Sequence, residues 1–242
     1  MSSDPALAAL LARFGAKAAT LSAEAGTYWQ RHAVRFEHVL RALDRRGRGR
    51  VRTALDVGCS FQTLLLAEYF PAWRIDTLAD IRDERFLLPP PSRHFLLDLN
   101  AADAAAPALD AGTRYDLIVF MEVIEHLRIP PAQVLRFLAA QLAPGGVIVL
   151  TTPNAAWLKN RLKLLRGRNP FELLRPEGGG HIRESTLDEL RDAAAAAGLR
   201  VAEARRLGLY GFSGAKDRFY SALADATHPS LSRTLFLVLE KP

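Results

Sequence analysis

The sequence has little cysteine and lacks a long apolar run. Of its 242 residues only Cys59 is a cysteine, so no internal disulfide is available. No apolar stretch approaches the ~18 residues of a membrane-spanning helix. The N-terminus differs from a secretory signal, because Ser2 and Asp4 stand in place of a basic start and Arg13 interrupts the apolar stretch. We therefore expect a cytoplasmic protein of a reducing compartment.

The composition excludes several classes of protein. Hydrophobic residues make up 49% and charged residues 24%, which is unlike collagen-like, disordered or disulfide-rich chains. A chain of this length buries roughly 70% of its unfolded surface, so it needs no metal or disulfide for stability. The net charge of +6 is compatible with nucleic acid, an anionic substrate or a membrane surface as partner, and equally with a merely arginine-rich composition.

From residue 50 onward, short apolar runs alternate with helical stretches. The predicted strands are Thr53–Val57, Arg74–Leu78, His94–Leu97, Leu117–Met121, Gly146–Thr151, Val201–Leu207 and Leu235–Glu240. The predicted helices between them are Thr63–Tyr69, Pro131–Leu142 and Leu187–Ala197. Strands joined by crossover helices predict an α/β, Rossmann-like, doubly wound and mostly parallel seven-stranded sheet. Ligands of such folds bind beyond the carboxyl ends of the strands.

Residues 1–49 are predicted to form a helical cap that precedes the domain of residues 50–242. A break is expected at Gly26, and a second helix follows over 28–43. Its apolar residues recur at roughly helical spacing, namely Trp29, Val34, Phe36, Val39, Leu40 and Leu43. The basic turn Arg45–Gly49 marks the boundary between the two regions.

The turn after the first strand lacks the glycines of a dinucleotide-binding loop. Such a loop requires glycine at positions 58, 60 and 63, where this chain has Gly58, Ser60 and Thr63. A phosphate-binding Gly-Lys-Ser/Thr sequence is missing as well. Both absences argue against a nicotinamide-dependent oxidoreductase, which is the rival enzyme class.

Acidic side chains stand at the ends of consecutive strands. Asp56 precedes Gly58 at the first strand, Asp80 ends the second, and Asp98 follows the third. A carboxylate at the end of the second strand can accept both hydroxyls of a ribose. Each acid alone is equally compatible with a helix cap or a solvated loop. Together they indicate a nucleoside-bearing ligand without a diphosphate.

These residues belong to a wider set of motifs. It comprises Asp56-Val-Gly-Cys, Asp80-Ile, Tyr115-Asp-Leu-Ile-Val-Phe-Met-Glu-Val-Ile-Glu-His-Leu, Leu142-Ala-Pro-Gly-Gly, Thr152-Pro-Asn and His181-Ile-Arg-Glu-Ser-Thr-Leu-Asp-Glu-Leu. With them the chain, from about residue 50 to its end, resembles class I S-adenosylmethionine-dependent methyltransferases. The nearest branch includes ubiquinone-biosynthesis O-methyltransferases and many small-molecule enzymes.

The resemblance implies S-adenosylmethionine as cofactor and assigns its site. The implied cofactor-binding residues are Asp56, Gly58, Ser60, Gln62, Asp80, Asp98, Leu99, Met121 and Glu122. Asp56 and Gly58 would hold the methionine end, Asp80 the ribose, and Asp98 with the Leu99 amide the adenine. The family usually has further glycines at the positions of Ser60 and Gln62. These side chains either close the site, leaving a non-catalytic partner or scaffold, or let Gln62 donate to the cofactor carboxylate.

Methyl transfer to an oxygen of a small molecule is the predicted reaction. It is an in-line displacement that depends mainly on positioning, and a base helps when the acceptor is a hydroxyl. The candidate bases are His126 and His181, the latter after the glycine hinge 178–180. Each is equally compatible with a supporting role in its loop. An alternative set of metal ligands is Glu122, Glu125, His126 and His181. A similar set binds magnesium in some relatives.

Residues 152–185 are predicted to form a lid insert before the last large helix. Its basic residues are Lys159, Arg161, Lys163, Arg166, Arg168, Arg175 and Arg183. Apolar residues interleave with them, among them Trp157 and Leu158, so 155–166 indicates a basic amphipathic helix. Three interpretations stay open: a lid with a solvated basic rim, recognition of an anionic acceptor, or peripheral membrane contact near a lipid-linked acceptor. Nucleic acid is less favoured, since aromatic residues do not interleave with the basic ones as a stacking platform.

Overall fold

A computed structural model describes residues 4–47, 49–102, 109, 112–173, 180–209, 211 and 215–242. The strands are β1 Thr53–Val57, β2 Arg74–Ala79, β3 His94–Leu96, β4 Tyr115–Met121, β5 Leu142–Pro153, β6 Arg200–Leu207 and β7 Thr234–Glu240. The helices are α1 Pro5–Leu21, α2 Ala23–Arg45, α3 Phe61–Tyr69, α4 Pro131–Gln141, α5 Leu158–Leu165, α6 Leu187–Ala196 and α7 Ala215–Thr227.

The strands form one sheet in the order β3-β2-β1-β4-β5-β7-β6. Strands β1 to β5 pair in parallel, whereas β7 runs antiparallel to both β5 and β6. The strand order reverses between β1 and β4, which is where doubly wound folds bind ligands. The predicted Rossmann-like, mostly parallel seven-stranded sheet is confirmed.

Helices cover both faces of the sheet and create two hydrophobic cores. On one face α4 and α6 pack against β4 and β5 through residues such as Leu138 and Leu190. On the other face α1, α2 and α3 share a core with the sheet, in which Phe36, Val39 and Phe236 are fully buried. The helical cap therefore shares its hydrophobic core with the sheet. The predicted boundary at residue 49 stays a prediction.

The cap differs from the sequence prediction in two places. The first two helices separate at Ser22, not at Gly26, because the Ser22 side chain accepts a hydrogen bond from the Ala25 N–H and so caps α2. Gly26 lies inside α2, where a Cβ would approach Ala19 Cα to 3.3 Å, so this glycine permits close helix packing. Val34, predicted with the apolar stripe, is 46% exposed.

The C-terminal half also differs from the prediction. Strand β5 begins at Leu142 instead of Gly146, because residue 142 already pairs with Tyr115 of β4. Helix α7 was not predicted, so α6 is not the last large helix. The insert helix α5 is shorter than 155–166. The indole of Trp157 is buried and donates from Nε1 to the Asn160 side chain.

Within the described residues, the helices are all too short or too polar to cross a bilayer.

A buried carboxylate fastens β2 to its neighbours. Asp76 is fully buried and accepts hydrogen bonds from the Arg93 backbone N–H at 3.0 Å and the Tyr115 hydroxyl at 2.9 Å. The Arg93 guanidinium also pairs with it at 2.8 Å. Removing the Asp76 carboxylate would leave the buried Tyr115 hydroxyl without this acceptor, whereas the Arg93 guanidinium is 37% exposed and can be solvated.

We expect Asp76→Ala to lower the free energy of unfolding by about 2 kcal/mol, because it leaves the buried Tyr115 hydroxyl without this acceptor. Urea denaturation followed by circular dichroism measures the change. The control is Asp188→Ala, whose pair with Arg191 is exposed and whose loss changes stability by at most about 0.5 kcal/mol. Equal effects of the two substitutions would contradict the structural role of Asp76.

Candidate active site

The carboxyl ends of the parallel strands border two adjoining cavities. One has a volume of about 510 Å³ and is lined by Gly58, Asp80, Asp98, Leu99, Glu122 and His126 among others. The second, of about 440 Å³, is lined by Tyr28, Arg35, Asp56, Gly58, Ser60, Gln62, Asp80, Met121, Glu122 and His126 among others. Every side chain implied as cofactor-binding therefore lines at least one of these cavities, and Gly58, Asp80 and Glu122 line both.

Gly58 shapes the turn between β1 and α3. Its φ of +85° lies in the left-handed region, and its N–H donates to the Leu78 carbonyl at 2.9 Å. A Cβ at this position would lie 2.7 Å from Cγ2 of Val123. Only glycine meets both the backbone conformation and the close approach, and it leaves the cavity wall open to a ligand.

Asp56 and Ser60 are joined through the side chain of Thr63. The Thr63 hydroxyl donates to Asp56 Oδ2 at 2.6 Å and accepts from the Ser60 N–H at 3.0 Å. The Ser60 hydroxyl in turn accepts from the Gln62 N–H at 3.2 Å, which caps the start of α3. Asp56 is 2% exposed, and this burial raises the pKa of its carboxyl to about 7.

Gln62 is the most informative polar group of the site. Its side chain is 1% exposed, and neither atom of its amide finds a hydrogen-bond partner among the described residues. A buried amide without a partner is costly, and native proteins rarely tolerate one. Since Gln62 lines the second cavity, a polar ligand in that cavity would satisfy it. The amide therefore fits the carboxylate of a bound methionine moiety.

Arg35 and Glu122 form a buried ion pair that connects the cap to the end of β4. Arg35 Nη1 lies 3.2 Å from Glu122 Oε2, and the two side chains are 2% and 11% exposed. Glu122 has a φ of +54°, and its Oε1 accepts from the Thr151 hydroxyl at 2.9 Å. Arg35 was missed from the sequence. In the sequence, Arg35 stands four residues before the apolar Val39, and this spacing places it on the buried face of α2.

Asp80 and Asp98 are exposed at the rim of the first cavity. Asp80 directly follows β2, at the strand end where a ribose-binding carboxylate was predicted. Asp98 Oδ1 accepts from the backbone N–H of Asn100 at 2.8 Å and from its side-chain amide at 2.9 Å. It thereby caps the short turn that positions Leu99. The capping role predicted as the alternative is present for Asp98, while the carboxylate still faces the cavity.

The structure brings the two candidate bases together. The rings of His126 and His181 lie 5.1 Å apart, edge to face. His126 Nδ1 lies 2.7 Å from the Gly180 carbonyl oxygen, which can only accept, so Nδ1 carries a proton. His181 Nδ1 lies 3.0 Å from Glu184 Oε1, which raises the pKa of His181. Gly178 and Gly179 of the predicted hinge lie outside the described residues.

Glu125 contributes a second buried carboxylate. It is 1% exposed and accepts from the Thr152 hydroxyl at 3.0 Å, while its Oε1 has no hydrogen-bond partner among the described residues. Burial, reinforced by the charge of Glu122, raises its pKa to about 8. Ligand atoms of Glu125, His126 and His181 lie within 4.8 Å of one another. Glu122, the fourth member of the predicted metal set, is not in this group and is instead paired with Arg35.

Comparison with known proteins identifies the family. The methyltransferase-domain family model matches residues 27–204, so the chain belongs to that family. The predicted membership of the class I S-adenosylmethionine-dependent methyltransferases is confirmed. The narrower ubiquinone-biosynthesis branch stays a prediction. No curated protein sequence matches the chain.

Solved structures share the fold at low sequence identity. A chain of the complex of the Haloferax volcanii Trm112 activator with a methyltransferase is 16% identical, with a TM-score of 0.55 over 82% of this chain and 88% of that one. The [4+2]-cyclase SpnF is 17% identical, with a TM-score of 0.55 and coverages of 87% and 81%. An O-methyltransferase of a Brevibacillus brevis polyketide synthase, bound to S-adenosylhomocysteine, is 18% identical, with a TM-score of 0.52 and coverages of 80% and 68%.

The raised pKa of Asp56 predicts a pH dependence of stability. The folded-state pKa of about 7 exceeds the ordinary value of 3.8, so the folded protein binds more protons between pH 4 and 7. Stability therefore falls as the pH rises through this window, by roughly 4 kcal/mol. We expect Asp56→Asn to flatten this fall, as measured by urea denaturation at several pH values.

The control for this experiment is Asp188→Asn, which changes an exposed carboxylate. Some pH dependence persists in Asp56→Asn, because the pKa of Glu125 is raised in the same direction. Parallel stability curves for the wild type and Asp56→Asn would show that Asp56 titrates normally.

Proposed function

We propose that the protein binds S-adenosylmethionine at the carboxyl ends of β1, β2 and β4 and transfers its methyl group to an oxygen of a small molecule in the cytoplasm. Family membership supports methyl transfer over hydride transfer. The single observation that carries the cofactor site is the buried amide of Gln62, which has no partner among the described residues and faces the cavity.

Charge and position assign each part of the cofactor to a wall of the cavities. Asp56 and the open turn at Gly58 suit the ammonium end of the methionine moiety. Arg35 and Gln62 line the same cavity and suit its carboxylate. Asp80 at the rim suits the ribose diol, a pairing that carboxylates make at this strand end.

The adenine would lie in the first cavity. Asp98 and the backbone of Leu99 line that cavity, as does His126 on the opposite side. The bound cofactor supplies a methyl group already activated by the positive sulfonium. The protein has to align the acceptor with that group and exclude water, and such positioning alone can supply several kcal/mol.

Of the two candidate bases, His126 has the better position. It lines both cavities, whereas His181 lines a neighbouring cavity of about 250 Å³. Because Nδ1 of His126 donates to the Gly180 carbonyl, the neutral ring presents Nε2 as the proton acceptor. His181 would then support the acceptor side through its pair with Glu184.

The neighbouring cavity supports an anionic acceptor. Lys159, Lys163 and Arg233 line it together with His181. These cations outnumber the two acids of the same cavity, Glu172 and Glu184, so the balance favours an acceptor that carries a phosphate or a carboxylate.

We expect Gln62→Leu to weaken cofactor binding while it stabilises the free protein. The substitution removes a costly buried amide, so the free protein should gain about 1 kcal/mol of stability. Calorimetric titration should show S-adenosylhomocysteine binding with micromolar affinity in the wild type and at least about tenfold weaker binding in the variant, equivalent to about 1.4 kcal/mol.

The matched control is Gln141→Leu. Gln141 is also fully buried, but its amide accepts from the Leu109 N–H and donates to the Phe137 carbonyl, so its loss should destabilise the protein. Asp80→Ala removes an exposed carboxylate and should abolish binding without unfolding. A folded wild type that binds no S-adenosylhomocysteine would support the rival non-catalytic scaffold, and binding of NADH instead would support an oxidoreductase.

A divalent cation stays an alternative feature of the site. Glu125, His126 and His181 offer ligand atoms at suitable separations, and the buried Oε1 of Glu125 without a partner among the described residues fits such a role. A magnesium ion there would orient and polarise an acceptor oxygen.

If the cation site exists, calorimetric titration with Mn²⁺ should show binding that Glu125→Gln removes and Asp188→Asn retains. The physical reason is that the amide replaces a charged oxygen ligand by a neutral one. Absence of Mn²⁺ binding, together with methyl transfer that resists EDTA on an identified acceptor, would exclude the metal and leave methyl transfer intact.

A further inference from the structure

Large apolar side chains are exposed on one face of the protein. They lie at the end of α5, in the segment that follows it and on α7, and they are Leu164, Leu165, Phe171, Leu173, Phe219 and Leu223. Leu165 is 81% exposed, Leu173 80% and Phe219 62%. Because α5 and α7 pack against each other, we treat these exposed side chains as one surface, which we call the α5–α7 face.

The α5 part of this face is strongly basic, whereas α7 has two cations and two acids. Residues 158–173 contain five cations and one acid, namely Lys159, Arg161, Lys163, Arg166, Arg168 and Glu172. The three arginines are exposed. Large apolar side chains that are exposed on neighbouring segments indicate an interaction surface, and the arginines among them favour an anionic partner.

We propose that the α5–α7 face docks on the surface of an anionic lipid bilayer. The exposed leucines and Phe219 would enter the boundary between headgroups and acyl chains, and the surrounding arginines would contact lipid phosphates. A bilayer offers both kinds of contact at once. This inference rests on the surface alone and is independent of the proposed methyl transfer.

Two other occupants fit the face less well. A second copy of the chain, in a symmetric dimer, would bring two identical sets of cations against each other. A single-stranded nucleic acid would use aromatic side chains for base stacking, whereas four of the six exposed apolar residues are leucines. The charge and the aliphatic character together therefore favour lipid.

The docked orientation would bring the acceptor side of the protein to the membrane. The side chain of Asn160 in α5 donates to Glu184, the partner of His181. Lys159 and Lys163 of α5 line the cavity that also contains His181. An acceptor carried by a lipid would thus reach this cavity from the bilayer without crossing bulk water.

The test is co-sedimentation of the full chain with vesicles. One set is an equimolar mixture of phosphatidylglycerol and phosphatidylcholine, and the other is phosphatidylcholine alone. We expect binding to the anionic vesicles that weakens with added salt. The double variant Leu165→Ser, Phe219→Ser should bind at least tenfold more weakly, equivalent to about 1.4 kcal/mol.

The matched control is Leu96→Ser. Leu96 is 65% exposed on the edge strand β3, away from the α5–α7 face, and its replacement should leave vesicle binding unchanged. Circular dichroism confirms folding of each variant, and S-adenosylhomocysteine titration independently reports the proposed function. The proposal would be overturned if the wild type and the double variant bound equally, or if neither bound to anionic vesicles. It would also be overturned if the wild type formed a dimer that the double variant does not form.

Discussion

The buried pair of Arg35 and Glu122 is the interaction on which the site depends. A guanidinium that is 2% exposed requires a carboxylate close by, because an unpaired buried charge costs several kcal/mol. The pair fixes α2 over the end of β4 and holds Glu122 in the left-handed conformation that turns the chain away from the sheet. The cap and the sheet thereby enclose a cavity that neither would form alone.

Burial raises the pKa values of two acids in this part of the protein. The pKa of Asp56 is raised to about 7 and that of Glu125 to about 8, in both cases mainly by desolvation. A cationic ligand favours the charged form of a carboxylate and would reverse these shifts. Asp56, which lines the second cavity, is therefore suited to a positive group of a ligand, such as the ammonium of S-adenosylmethionine.

The sheet was predictable from the sequence because its strands are continuous apolar runs between turn residues. The location of the strand-end acids and Gly58 at one edge of the sheet was predictable as well, because parallel strands end at the same edge. The metal site stays a prediction: geometry groups Glu125 of the predicted set with the two histidines, whereas Glu122 pairs with an arginine that lies 87 positions earlier in the chain. Such a long-range pairing leaves no periodic signal.

Local capping and packing explain the other differences. A serine side chain decides where α1 and α2 separate, although Gly26 is the stronger helix breaker by propensity. Trp157 belongs by spacing to an amphipathic helix, yet its indole finds a hydrogen-bond partner in Asn160 and is buried. Amphipathic spacing shows that a helix has two faces, but only packing decides which face meets the protein and which meets its surroundings.

We propose that the insert of residues 152–185 determines which acceptor the protein uses. A methyltransferase fold fixes the donor, because its cofactor site is built from strand ends, but it leaves the acceptor open. The similarity to a [4+2]-cyclase shows that the fold also occurs in an enzyme named for a different reaction. In the proposed site the acceptor side would be formed by α5, Glu184 and His181, and the same insert carries exposed apolar and basic side chains. One segment thus connects the chemistry of the acceptor to the surface from which the acceptor arrives.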